Sequence, residues 1–380
     1  MTCFELGPIR PPSEAQSILL RLTRNCHWNK CAFCPVYKNR QFSMRKTDEV
    51  KRDIDVMAAI AGAIYRELNR LYPDRRDNTA VVHVIDTVDF GDDIDQGCAR
   101  QVAFWMFHGM KSLFLQDADA LVFRTPDLLE ILNYIREKFP TIERITTYSR
   151  AQTISRKTPE ELQSLRRAGL NRIHIGMETG SDAVLSMVNK GVTQEEQIRA
   201  GQNVVAAGFE LSEYFMPGLG GAEHSEENAV ESARVLSAVN PTFIRIRSTI
   251  PVPGTPLHDM MTAGSWTPLT EEEKVREIRL FIERLEGITS TVQSDHIMNL
   301  LEDVEGALPG DKAAMTGVID RFLAMAPDDR ESFIVGRRIG RYRYLSDYVR
   351  LPDVENIKAE ILRQFGSIDR GMLEILTNFI

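Results

Sequence analysis

The 380-residue sequence predicts an α/β fold of parallel strands with helices packed outside. Three observations predict it. Short β-rich runs are each followed by a helical pattern. From the second run onward they recur roughly every 30–40 residues, the length of a βαβ unit. After Pro256 the pattern changes to helices only. Strict β–α alternation either closes into a barrel or opens into a doubly wound sheet. We therefore expect an α/β catalytic unit over residues 1–257 and a helical extension over 258–380.

The first strand is SILLRLT (Ser17 to Thr23), followed by SLFLQ (Ser112 to Gln116) and ERITTY (Glu143 to Tyr148). RIHIGM (Arg172 to Met177), FELSEYFM (Phe209 to Met216) and TFIRIRS (Thr242 to Ser248) continue the series. Helical patterns lie between them, opened by Ser, Thr or Pro, and two of them end at Gly169 and Gly208. The long first interval holds an expected helix from Lys46 to Leu71, an extra strand AVVHVI (Ala80 to Ile85) and an acidic segment from Asp86 to Asp95. Four helices are expected in the extension, over Glu271 to Glu286, Lys312 to Met325, Asn356 to Phe365 and Ile368 to Phe379.

A 43% hydrophobic, 26% charged composition supports a substantial core and excludes a disordered, collagen-like or disulfide-dense chain. Lys plus Arg total 46 against 54 Asp plus Glu, a net charge of −8, which disfavours a dedicated nucleic-acid binder. One local basic patch can still bind phosphate on an acidic protein. No apolar run is long enough to span a bilayer, and MTCFELGPIRPPSEAQ lacks the pattern of a signal peptide. The expected location is the cytoplasm, with reduced thiols.

Chemistry concentrates in Arg24-Asn25-Cys26-His27-Trp28-Asn29-Lys30-Cys31-Ala32-Phe33-Cys34-Pro35. Three of the five cysteines lie within nine positions, on a loop directly after the first strand. That spacing and the odd count argue for a metal site rather than disulfides. Three thiols are one short of a closed zinc site, which His27 or Cys98 could complete. Three thiolates can instead hold three irons of a [4Fe–4S] cluster and leave the fourth iron open.

The loop resembles that of the radical SAM superfamily. Cys31-Ala32-Phe33-Cys34 matches the second half of the family's C-x3-C-x2-C motif, aromatic residue included, and Cys26 stands one residue further upstream than usual. The resemblance implies a partial (β/α)6 TIM-like barrel, a [4Fe–4S] cluster on Cys26, Cys31 and Cys34, and S-adenosylmethionine on the open iron. It further implies one-electron cleavage to a 5′-deoxyadenosyl radical that abstracts hydrogen from a substrate.

Further motifs extend the resemblance over roughly residues 15–257. Gln116-Asp117-Ala118-Asp119 stands where the family carries a Gly-Gly-Glu turn. It lacks the glycines but offers Asp117 and Asp119 to the methionine ammonium, unless one merely caps a helix. Ser149 and Arg150 follow the third strand, where the family contacts the ribose or carboxylate of the cofactor. Gly176-Met177-Glu178-Thr179-Gly180-Ser181-Asp182 resembles a stretch of the elongator-type, methylthiotransferase-type and coproporphyrinogen-oxidase-like branches, and implies ribose contacts from Glu178. Met216-Pro217-Gly218 stands where family backbone groups meet adenine. Arg245 and Arg247, two apart on the sixth strand, share a face there and are expected anchors for an anionic small-molecule substrate. Phe33 completes the expected cofactor-facing set.

Arg337-Arg338-Ile339-Gly340-Arg341-Tyr342-Arg343-Tyr344 is the dense basic stretch. It reads either as an RNA-binding segment or, better suited to the net charge, as a cover over an acidic substrate. Cys3 and Cys98, distant in sequence, cannot hold a second cluster without outside ligands. Few residues precede the first strand, so a cobalamin-binding domain is not expected. The expected partners are a small-molecule substrate and a reducing donor such as flavodoxin or ferredoxin. The competing readings are an RNA-modifying member of the superfamily and a non-catalytic iron–sulfur or zinc protein.

Overall fold

The computed structural model describes residues 2–74, 78–90 and 94–379. The chain divides into two compact units. The first comprises residues 1–27, 39–174 and 206–209, and the second residues 28–38, 175–205 and 210–380.

In the first unit β1 (Ile18–Arg21) leads to a short hairpin of β2 (Thr23–Arg24) and β3 (Ser43–Met44), paired antiparallel through Thr23 with Met44 and Arg24 with Ser43. β4 (Ser112–Gln116) and β5 (Arg144–Ser149) complete a parallel ladder with β1, in the order β1-β4-β5. Both faces of this ladder are apolar, as a sheet covered on both sides requires: Ile18, Leu20, Leu113, Leu115 and Ile145 are buried on one face, and Leu19 and Phe114 on the other. Helix Thr47–Leu71 turns Val50, Ile54, Met57, Ile60, Ala61 and Ile64 inward, the spacing of one helical face.

β6 (Leu170–Glu178) gives residues 170–174 to the first unit and 175–178 to the second. In the second unit β7 (Glu210–Phe215), β8 (Phe243–Ile246) and β9 (Thr291–Gln293) run parallel, and β10 (Gly306–Ala307) closes the row antiparallel to β9. Phe215 stacks on Phe281 of helix Glu271–Arg284 at 4.0 Å, joining this sheet to its outer helices.

The parallel α/β class stands, and β1, β4, β5, β6, β7 and β8 are the six strands expected from the sequence. Two local expectations are corrected. Residues 80–85 are not a strand: Asn78–Ala80 and Val81–Val84 are helical, and Val81 and Val84 are buried three apart on one helical face. The extension is not helical throughout, because β9 and β10 lie within it. Among the described residues no helix is long and apolar enough to cross a membrane.

Candidate active site

The cysteine loop begins in the first unit, where Arg45 N–H donates to the Leu22 carbonyl and pins the β2–β3 base. Asn25 follows with a φ of +67°, a left-handed turn that an Asn tolerates. Its side-chain amide donates to the Gln41 carbonyl across the base at 2.6 Å. Its backbone N–H donates to Asp117 at 3.1 Å, and Arg21 grips the same carboxylate at 2.6 Å. Asp117 is fully buried, so these charge-assisted bonds are what make its carboxylate tolerable there. The expected ammonium partner is therefore already engaged as the anchor of the loop's first residues.

Asp119 sits at the C-terminal ends of β4 and β5. It accepts hydrogen bonds from the Ser149 hydroxyl at 2.8 Å, the Thr153 hydroxyl at 2.5 Å and the Leu121 N–H at 3.2 Å. The Arg150 N–H approaches it at 3.4 Å, and the His27 ring lies 3.7 Å away. Burial pushes the Asp119 carboxyl up to about 6, opposed by the Thr153 and Ser149 hydroxyls. Burial first, and the nearby Arg150 and Arg156 charges second, hold His27 down to about 4, so its ring is neutral at pH 7. Asp119, Ser149 and Arg150 thus form one cluster.

The apex of the loop belongs to the second unit, and Ala32 fixes it. Its N–H donates to the Val188 carbonyl at 2.8 Å and its own carbonyl accepts from Leu257 N–H at 3.0 Å. Its side chain joins a buried cluster with Val184, Val188, Met216, Leu219, Leu257 and Trp266, against which Phe33 packs. Trp28 donates its ring N–H to the Asn189 carbonyl at 2.8 Å. Lys38 donates to the Cys31 carbonyl at 2.9 Å, and Cys34 N–H closes a turn onto the same carbonyl at 3.4 Å. Cys26, Cys31 and Cys34 are half-buried and not disulfide-bonded.

Glu178 ends β6 with a φ of +67°, a conformation that costs a non-glycine residue free energy. Lys190 meets its carboxylate at 3.1 Å and lies 5.6 Å from the centre of the Phe33 ring, so Phe33, Lys190 and Glu178 form a second cluster. Met216 N–H donates to the Glu178 carbonyl at 2.8 Å. Gly218, at a φ of +80°, donates its N–H to Glu277 at 3.0 Å. Burial raises the Glu277 carboxyl to about 7, against hydrogen bonds from Ser225, Gly218 N–H and Asn228. Lys190, Ala32 and Trp28 were not singled out from the sequence. The Asn189-Lys190-Gly191 run was its one visible signal.

Three sequence expectations change. Arg245 and Arg247 do not share a strand face, because β8 ends at Ile246. Arg245 is buried and binds Asp295 at 2.6 Å and the Ser212 hydroxyl at 3.2 Å, whereas Arg247 is exposed. The basic stretch is largely neutralised by acids: Arg337 and Arg343 both bind Glu302 at 2.6 Å, Arg341 binds Asp353 at 2.7 Å, and Arg338 binds Glu271. Cys3 and Cys98, expected as separate thiols, are joined as a disulfide with a Cα–Cα distance of 5.9 Å.

Residues 92–233 match the family model of the radical SAM superfamily, a stretch that begins after the cysteine loop. The tRNA uridine(34) acetyltransferase of Methanocaldococcus jannaschii is 25% identical over 120 residues, 31% of this chain and 22% of that protein. The biotin synthase of Porphyromonas gingivalis is 28% identical over 184 residues, 48% of this chain and 51% of that one. Among solved structures, methylornithine synthase is 14% identical, covering 90% of this chain and 85% of its own, with a TM-score of 0.43. The chain thus spans between about a fifth and a half of the curated relatives it matches. Enzymes of that superfamily use a [4Fe–4S] cluster and S-adenosylmethionine.

Proposed function

With a radical SAM domain over residues 92–233 as the premise, we propose that this chain generates a carbon radical on a small-molecule substrate by hydrogen abstraction. The carrying observation is the donor set: three cysteines outside any disulfide, on one nine-residue stretch whose start and apex are each hydrogen-bonded into folded structure. That set fits three irons of a [4Fe–4S] cluster and leaves one iron for the cofactor. When bound, the cluster and S-adenosylmethionine supply one-electron cleavage and the hydrogen-abstracting radical.

The protein's own residues do the positioning. Cys26, Cys31 and Cys34 hold the cluster. In the first unit Asp119 orients the Ser149 hydroxyl and the Arg150 backbone, and the Arg150 guanidinium meets the carboxylate of the cofactor. In the second unit Lys190 fixes Glu178 to accept ribose hydroxyls, and Phe33 supplies an apolar wall. Met216 and Gly218 present backbone to adenine. Asp117 acts at one remove, by shaping the loop at Asn25. Arg247, the exposed member of the arginine pair, contacts an anionic substrate, and Arg245 stiffens the strand before it.

Anaerobic reconstitution tests the reading. Wild-type protein should hold about four irons per chain and release 5′-deoxyadenosine with a low-potential reductant such as flavodoxin, ferredoxin or dithionite. Cys31→Ala should do neither. One zinc and no iron would replace the reading with a zinc protein.

A second reading takes RNA as substrate. The similarity to a tRNA-acting protein favours it. The acid-paired state of Arg341 and Arg343 counts against it. Salt-dependent RNA retention that is lost in the Arg341→Ala/Arg343→Ala variant would establish RNA as the partner. A cytoplasmic location accords with the reducing conditions that the cluster requires.

A further inference from the structure

A second set of ligand groups lies in the first unit, on the N-terminal segment and helix Gln96–Phe107. Among the described residues, Cys3, Asp95 and Cys98 form the group whose ligand atoms all lie within 4.8 Å of one another. Thr2 pairs with Ile94 as an isolated bridge, and Asp95 N–H donates to the Thr2 carbonyl at 3.2 Å. Phe4 is buried against Trp105 with ring centres 5.4 Å apart. Glu5 N–H donates to Asp53 at 3.0 Å. Cys3 is therefore held over the first turn of the helix by its neighbours on both sides, independently of any bond between the sulfurs.

We propose that, when reduced, Cys3, Cys98 and Asp95 bind one divalent ion of the zinc class, separate from the cluster loop. Two thiolates and a carboxylate are a borderline-soft donor set, suited to zinc over magnesium or calcium. Donor atoms within 4.8 Å of one another can converge on a tetrahedral ion at about 2.0–2.3 Å. One Asp95 oxygen caps the helix by accepting Cys98 N–H at 3.0 Å, which leaves the other for the ion. Cys98 is the third residue of the helix, where the peptide dipoles favour a thiolate. Cys3 is exposed, giving the ion a way in, and Cys98 is buried. Three protein ligands leave the fourth position to water.

The sulfurs are joined in the structure, and reduction by two electrons and two protons returns both thiols. The low-potential conditions that serve the cluster favour that state. Binding then releases the two thiol protons to solvent and ties residues 2–5 to the helix.

The test uses the full chain carrying Cys26→Ser, Cys31→Ser and Cys34→Ser, kept anaerobic with a phosphine reductant and titrated with cobalt(II). One equivalent should develop near-ultraviolet thiolate-to-cobalt bands, and zinc(II) should bleach them. Adding Cys98→Ser should abolish the bands, and adding Asp95→Asn should weaken binding by about tenfold or more. Absent thiolate bands, or bands that survive Cys3→Ser and Cys98→Ser together, overturn the proposal. So does an intact mass showing the disulfide still closed under the reductant. Should the loop variant fail to fold, zinc content decides: reconstituted wild type should keep one zinc per chain that Cys98→Ser lacks, and equal zinc in both refutes the site.

Discussion

Lys190 and Glu178 meet at 3.1 Å although Glu178 stands in a left-handed backbone conformation at the end of β6. Their side chains are only 10% and 14% exposed, so solvent screens the pair weakly and the ammonium fixes where the carboxylate points. Lys190→Met keeps the apolar stem beside Phe33 but removes the charge. S-adenosylmethionine binding to reconstituted protein should weaken about tenfold, or about 1.4 kcal/mol, with iron content unchanged. Equilibrium dialysis under anaerobic conditions measures both. An unaltered dissociation constant would remove Glu178 from the cofactor site.

Ala32 offers a way to disturb the cluster loop without touching a thiol. It is 3% exposed and packed among Val184, Val188, Met216 and Leu219. Ala32→Leu overfills that space at a cost of about 1–3 kcal/mol, which moves the loop apex relative to its hydrogen bonds with Val188 and Leu257. Iron bound after reconstitution should fall well below that of wild type while circular dichroism stays native. Full iron loading in this variant would show that the apex position does not matter.

Gly191 makes the same point from the far side. Its φ is +71°, and a Cβ added there would stand 2.2 Å from the Trp28 ring, whose N–H binds the Asn189 carbonyl. Gly191→Ala combines backbone strain with displacement of Trp28. Iron loading should drop, and Trp28→Leu in the same chain should restore part of it by vacating the ring. No recovery would place the effect in the backbone alone.

How far the sequence could be read depends on the range of the forces involved. The six strands were legible because β-branched and aromatic runs bounded by helix signals are local information. Val81-Val82-His83-Val84 has the same local character, yet burial of Val81 and Val84 makes it helical, a tertiary choice over propensity. β9 and β10, three and two residues long, are too short to carry a pattern. In the site, Asp119, Ser149 and Arg150 could be singled out because they lie at or just beyond the ends of recognisable strands. The pairing of Asp117 with Arg21, 96 positions away, leaves no local pattern to read. The split fates of Arg245 and Arg247 follow from Asp295, 50 positions from Arg245 in the chain.

That arginine pair is separable by stability. Arg245 is 4% exposed and binds Asp295, which is 39% exposed and so partly screened. Arg245→Ala should destabilise by on the order of 1–2 kcal/mol, a discounted version of breaking a buried pair. Arg247→Ala, at an exposed position, should stay within about 0.5 kcal/mol. Urea denaturation measures both, and equal losses would mean that Arg245 is not the structural member.

Glu213 on β7 gives the chain a pH dependence that does not involve the cysteine loop. It is 1% exposed, one of its carboxyl oxygens has no hydrogen-bond partner, and burial alone pushes it up to about 8 from an ordinary 4.5. Its folded value lies above its unfolded one, so its contribution to stability is fully present below about 4.5 and is lost as pH rises through about 8. The native state holds the carboxyl protonated at neutral pH and binds more protons than the unfolded chain. Stability from this group therefore declines between pH 5 and 8, with a slope approaching about 1.4 kcal/mol per pH unit. Glu213→Gln is neutral throughout and removes the slope without emptying the space beside Gly201, whose added Cβ would lie 3.3 Å from the carboxyl. Urea midpoints at pH 5.5, 7 and 8.5 should converge less steeply on a low value in the variant than in wild type. Parallel pH profiles for the two proteins would show that Glu213 ionises normally and that its burial is relieved in solution.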